Sequence, residues 1–231
     1  MNSIDTVVAA AIAQIEACHA AREQALTLAR ALTRQCANTI RAAHRRDFAE
    51  AAALLAEAGA SARALRESLA RHPDLLYAGY SQDALKEYAE AALVYAFLRG
   101  DPPPDAESLG VDAAAYLNGL AEAASELRRA VLDNLRTGAT ARGVELLSMM
   151  EDIYSLLITV DYPEAVTGGL RRTTDALRAV LERTRGDVTA AIRQDQLIAA
   201  LEAFERRLDQ HVAANPGSLR NPLSSGPSGG S

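Results

Sequence analysis

Four glutamates carry the most distinctive chemistry in this chain. Glu87 and Glu90 stand three residues apart, and Glu122 and Glu126 four apart, spacings that put each pair on one face of a helix. Glutamates so spaced usually line a solvated stripe. Here residues 91–98 are apolar on every side, and a helix apolar all round is normally buried. Two carboxylates leading into such a helix need a partner, because an unpaired buried charge is costly. Leu120, Ala121, Ala123, Ala124 and Leu127 surround the second pair with apolar neighbours. Arg128 and Arg129 are at hand for plain salt bridges, so the residues alone leave both a metal site and a paired surface open.

If the four converge, their chemistry is constrained. Hard carboxylate oxygens, without cysteine or a histidine set, favour Mg²⁺ or Mn²⁺ over Zn²⁺. Such ions neutralise phosphate oxygens and activate water for in-line attack on a phosphodiester. The spacing does not choose between one ion and two.

The elements that must position these groups read as helices throughout, with no strand alternation and no short internal repeat. Apolar residues at helical spacing predict a long first helix from about Ile4 to about His44. Asp47 is expected to cap a short second helix ending near Gly59, and a third runs from about Ser61 to just before Pro73. Ser81 is expected to cap the helix carrying Glu87 and Glu90, which reaches Leu98 and closes at Gly100. Asp112 caps the helix of the second pair, which extends to Arg136 and ends at Gly138. Further helices are expected over 139–160, over 164–185 with Gly186 as the stop, and from Asp187 to about His211. Residues 1–213 thus form one all-helical domain. Residues 214–231, rich in Pro, Gly and Ser, are expected to be a disordered tail.

Composition agrees with closely packed helices. The 231 residues are 49% hydrophobic but only 4% aromatic, with no Trp, so the core must come from Ala, Leu, Val and Ile. The formal charge of −6 excludes a uniformly positive surface but not a local basic lining. Cys18 and Cys36, if on one helix, stand roughly 27 Å apart at 1.5 Å per residue and cannot bridge. A reduced, cytoplasmic setting is expected, with neither a signal peptide nor an apolar run long enough to span a membrane.

Several segments carry a family resemblance that spans residues 22–193. Tyr77, Ala78, Gly79 and Tyr80 precede Leu85, Lys86, Glu87, Tyr88, Ala89, Glu90 and Ala91. Tyr116, Leu117, Asn118, Gly119, Leu120 and Ala121 lead into Glu126, Leu127, Arg128 and Arg129. Asp161, Tyr162 and Pro163 are followed by Leu170, Arg171, Arg172, Thr173, Thr174 and Asp175, then by 182–186. Arg30, Thr33, Thr39, Ile40, His44 and Arg45 fall at matching places in the first helix. In this order the segments resemble the translin/TRAX family, and the TRAX-type catalytic subunits and their prokaryotic relatives more than translin itself.

The resemblance implies an all-α, seven-helix bundle assembling into a hollow homo-octamer with its acidic sites facing the cavity. It implies cleavage of single-stranded RNA with a divalent metal, with single-stranded DNA as a second candidate ligand. Glu87, Glu90 and Glu126 match the family's catalytic carboxylates. Glu122 stands where the family usually has Asp, one methylene shorter, and Asn38 where it usually has a basic residue. A non-catalytic nucleic-acid-binding scaffold of the translin type is the alternative; translins lack the counterparts of Glu87 and Glu90.

Six arginines and one acid, Glu23, lie between residues 22 and 46. Arginine pairs with phosphate irrespective of sequence, and with the resemblance Arg30, Arg41, Arg45 and Arg128 become the expected RNA-backbone contacts. Few aromatics are available for base stacking; Tyr77 and Tyr80 read as packing residues first. Glu16 and His19 form half of a di-iron signature whose other parts are missing. The remaining histidines read as structural or surface residues.

Overall fold

The computed structural model describes residues 3–214 of the chain; the tail expected over 214–231 lies outside them except for Ala214, which is the last residue of α9. Among the described residues every regular element is a helix. Six are long: α1 (Ile4–His44), α2 (Phe48–Ser68), α4 (Gly79–Arg99), α6 (Ala113–Arg136), α7 (Thr140–Leu157) and α9 (Leu170–Ala214). Three are single turns: α3 (Pro73–Leu76), α5 (Ala106–Leu109) and α8 (Glu164–Thr167). These stand where the resemblance implies seven helices.

Residues up to Val188 form one compact unit. Its core follows from the composition, small residues letting helices close on one another. Ala25, Ala29, Leu32 and Cys36 of α1 meet Ala58, Ala62 and Leu65 of α2 and Ala84, Leu85 and Ala89 of α4. Further along, α6 packs on α4 and α7, burying Leu127, Val131, Leu146 and Met150. In the second unit, from Thr189 onward, the described residues are the last part of α9. Its Leu197, Leu201, Phe204 and Leu208 are exposed, at a spacing that places them on one side of the helix.

The capping chemistry explains the main reversals. Asp47 accepts a hydrogen bond from the Glu50 backbone N–H at the start of α2. Arg46, just before it, adopts φ 62°, in the left-handed region that non-glycine residues rarely enter. Gly100 closes α4 with φ 80°, as expected of a C-terminal glycine.

Several expected boundaries are corrected. The helix break near Gly59 and Ser61 does not occur, and α2 runs through both. Gly59 is there for contact: a Cβ on it would lie 2.9 Å from the Tyr88 hydroxyl oxygen. Ser81 is not the cap of α4, which starts at Gly79 with Ala78 as its N-cap. The Ser81 hydroxyl instead donates to the Leu75 carbonyl at 2.8 Å. The helix expected over 164–185 breaks at Gly168 and Gly169, at φ 59° and 86°. Gly186 does not stop α9; an exposed mid-helix glycine costs only about 1 kcal/mol.

One stretch departs from the expectation of no membrane-length apolar run. Near its start α1 is long and apolar enough, by length and composition alone, to cross a membrane, and that stretch is wholly unburied. Asp5 and Glu16 lie along the same part of the helix.

Candidate metal centre and its neighbours

The site begins with a glycine. Where α6 crosses α4, a Cβ on Gly119 would fall 2.8 Å from the Lys86 carbonyl oxygen and 3.0 Å from the Glu90 backbone nitrogen. The two main chains therefore touch, and only glycine fits. Asn118 beside it ties α6 to α8 and to the start of α9. Its Nδ2 donates to the Thr167 carbonyl at 2.8 Å, and its Oδ1 accepts from the Thr173 hydroxyl at 2.7 Å. One helical turn past Gly119, Glu122 projects to the side where Glu87 and Glu90 project from α4.

Three of the four expected carboxylates meet. One oxygen each from Glu87, Glu90 and Glu122 lies within 4.8 Å of the others, and all three residues are half-buried. Crowding like charges away from water disfavours ionisation. Burial, then Glu87, Glu122 and Glu126, push the Glu90 carboxyl up to about 8, against a smaller opposing pull from Lys86. Burial also raises Glu87, though Lys86 opposes it. The same surroundings reach the buried Cys36 thiol, pushed up to about 12 by burial and then by Glu87 and Glu90.

The fourth, Glu126, is not among the three that converge, though its charge reaches Glu90. Its Oε1 is 2.8 Å from the His44 Nε2, and that imidazole side chain is 1% exposed. Periodicity could not find this partner, because His44 ends α1 while Glu126 sits mid-way along α6. Lys86 was equally hidden, although it lies inside a quoted motif. Its Nζ is 2.8 Å from Glu122 Oε1 and 3.8 Å from Glu87 Oε1. Burial alone would lower its pKa; the hydrogen bond and charge of Glu122, with Glu87 and Asp83, raise it overall.

The arginines sit differently. Arg128 turns away from the carboxylates to Thr184, at 3.0 Å, and Asp187, at 2.8 Å. Arg30 is exposed on α1, Arg41 donates to Asn38, and Arg45 pairs with Glu50. No guanidinium is therefore paired with Glu87, Glu90, Glu122 or Glu126 among the described contacts. Tyr77 is exposed, whereas Tyr80 packs against the core. Glu16 and His19 lie on the exposed start of α1, with no second motif beside them. Cys18 and Cys36 are free thiols on one continuous helix.

This all-α arrangement is that of the translin-like fold. No family model matches the chain. It is 33% identical over 191 residues to the uncharacterized protein MJ0175 of Methanocaldococcus jannaschii, covering 82% of this chain and 84% of that one. The solved structure of AfC3PO, from Archaeoglobus, superposes with a TM-score of 0.74 at 29% identity, over 81% of this chain and 97% of that one. A complex of AfC3PO with duplex RNA gives 0.70 at 30% identity, with the same coverage of each chain. Apo-NeC3PO, from Nematostella, shares the fold at a TM-score of 0.72 and 20% identity, over 83% of this chain and 98% of that one. The chain belongs to the translin/TRAX family.

Proposed function

We propose that this protein is a divalent-metal-dependent endoribonuclease acting on single-stranded RNA. In this reading Glu87, Glu90 and Glu122 hold Mg²⁺ or Mn²⁺, with Glu126 completing the set. The observation that carries the proposal is the convergence of three glutamates from two helices. The donor set fits such an ion: oxygens held at about 2.1 Å around octahedral Mg²⁺ lie at most about 4.2 Å apart. Oxygens already within 4.8 Å of one another need only small movements of flexible arms.

A bound ion would neutralise the phosphate and activate a water for attack. The rest falls to the chain. Glu87, Glu90 and Glu122 orient what binds, and their half-burial keeps the cluster reachable by a polymer while excluding bulk water from its inner side. His44 holds Glu126 Oε1, which leaves Oε2 available to complete the set around the ion. The exposed arginines of α1 give backbone contacts without sequence preference. The duplex RNA in the AfC3PO complex supports RNA as the ligand class. We further place the protein in the cytoplasm as a homo-octamer with the acidic sites lining its cavity; two free thiols suit a reduced compartment.

One observation favours the alternative of a non-catalytic nucleic-acid-binding scaffold. Lys86 already pairs with Glu122, so part of the charge is balanced without a metal. Incubation with end-labelled single-stranded RNA and Mn²⁺ separates the two readings. Fragments that vanish on chelation and in Glu126→Gln are expected. RNA that binds yet stays intact with Mg²⁺, Mn²⁺ and other divalent ions would leave the scaffold. A duplex arm tests strand preference, and light scattering tests assembly.

A further inference from the structure

Lys86 is the only lysine in the chain, and it stands inside the acidic cluster. Its ammonium contacts Glu122 at 2.8 Å and lies 3.8 Å from Glu87, with the side chain 21% exposed. An exposed ion pair of this length would carry little meaning. This one touches two of the three carboxylates that converge, from a position one residue before Glu87 on the same helix. The contact also depends on the length of Glu122. An aspartate would end one methylene, roughly 1.5 Å, short and leave the ammonium near 4 Å, outside hydrogen-bond range. Lysine at 86 and glutamate at 122 therefore belong together.

We infer that Lys86 is a resident cation of the site, standing where a second divalent ion would sit, so that the site takes one ion and the ammonium supplies the other positive charge facing the phosphodiester. This rests on the metal-binding reading above. Two-ion phosphodiester sites hold their cations about 3.5–4 Å apart, one on each side of the transferred group. The ammonium is a compact charge with three rotatable donors; one is given to Glu122 at 2.8 Å, the charge lies 3.8 Å from Glu87, and a remaining donor can meet a phosphate oxygen. A lysine placed between two carboxylates also blocks a second ion from reaching them without first displacing it.

Counting Mn²⁺ bound to the full-length protein, by the electron paramagnetic resonance of the free ion, tests this directly. One Mn²⁺ per chain is expected for the wild type and for Lys86→Arg, which keeps the charge, and two for Lys86→Gln. Two in the wild type, or one in Lys86→Gln, would overturn the role of Lys86 while leaving metal binding intact. No Mn²⁺ on any of the three overturns the metal reading itself, and this inference with it. A second readout uses the wild type alone. Reductive ¹³C-methylation labels Lys86 as the single lysine signal, and the first equivalent of Mn²⁺ should broaden it away. A Lys86 signal that stays sharp places the ion elsewhere and removes the inference.

Discussion

The α4–α6 crossing and the basic face of α1 are both rich in charge, but they are built in opposite ways. At the crossing, main chains touch at Gly119, and four charged side chains are held half-buried against one another. Along α1, Arg30, Arg41 and Arg45 stand in solvent, and those with described partners find them nearby in the same chain segment. The first region is costly to assemble, since its carboxylates repel and are desolvated; Lys86 offsets part of that cost, and on the metal-binding reading a divalent ion offsets more. The second costs almost nothing and can be altered with little consequence to the fold. Geometry-dependent chemistry belongs at the first, and graded, additive attraction at the second.

This contrast makes predictions of unequal size. Glu90→Gln should cut RNA cleavage by more than ~100-fold, beyond what loss of an outer partner gives, with RNA affinity preserved. A comparable loss from any single arginine variant of α1 would break the contrast. Gly119→Ala should come next, because the new methyl meets backbone that cannot step aside. Overpacking of about 1–3 kcal/mol should lower the Tm by several degrees and weaken Mn²⁺ binding with it. His44→Leu should reduce cleavage about 10-fold, in line with loss of an orienting hydrogen bond. His44→Gln, which keeps a donor, should recover part of that.

A thermodynamic signature follows from Glu90. Its carboxyl is raised from 4.5 to about 8 in the folded chain, so the folded state holds a proton that the unfolded state releases. Without metal, stability should therefore fall as the pH rises from about 4.5 to about 8 and level off above that. Glu90→Gln should flatten this part of the Tm–pH curve, and added Mn²⁺ should bind more tightly as the pH rises through the same window. The smallest effects belong to α1. Arg30→Ala, Arg41→Ala and Arg45→Ala should each weaken RNA binding only severalfold and reduce its salt slope by about 0.7 per lost phosphate contact.

The sequence was legible where structure is local. The bounds of α1 and the capping positions Asp47 and Asp112 follow from residues within one or two turns. The two acidic pairs were visible because each lies on one helix face. What stayed hidden depends on neighbours far along the chain. Gly59 and Gly168 look alike as punctuation, yet the first lies inside a helix against Tyr88 and the second breaks one. His44 and Lys86 gain their meaning only from α6, 82 and 36 residues away. Glu126 shared a face with Glu122, but its Oε1 is held by His44 from the end of α1 and it stays outside the converging three.

A contact between main chains has no rotamers, and that limits how the α4–α6 crossing can move. With Gly119 seated against residues 86–90, neither helix can slide or roll there unless the whole pair shifts. The glutamate arms and the one ammonium, with their rotatable bonds, are the parts of the centre that can adjust. A polymer arriving at such a rigid anvil must do the bending itself. On the nuclease reading, a limp strand can drape its phosphate onto the carboxylates, whereas a stiff double helix must first be distorted.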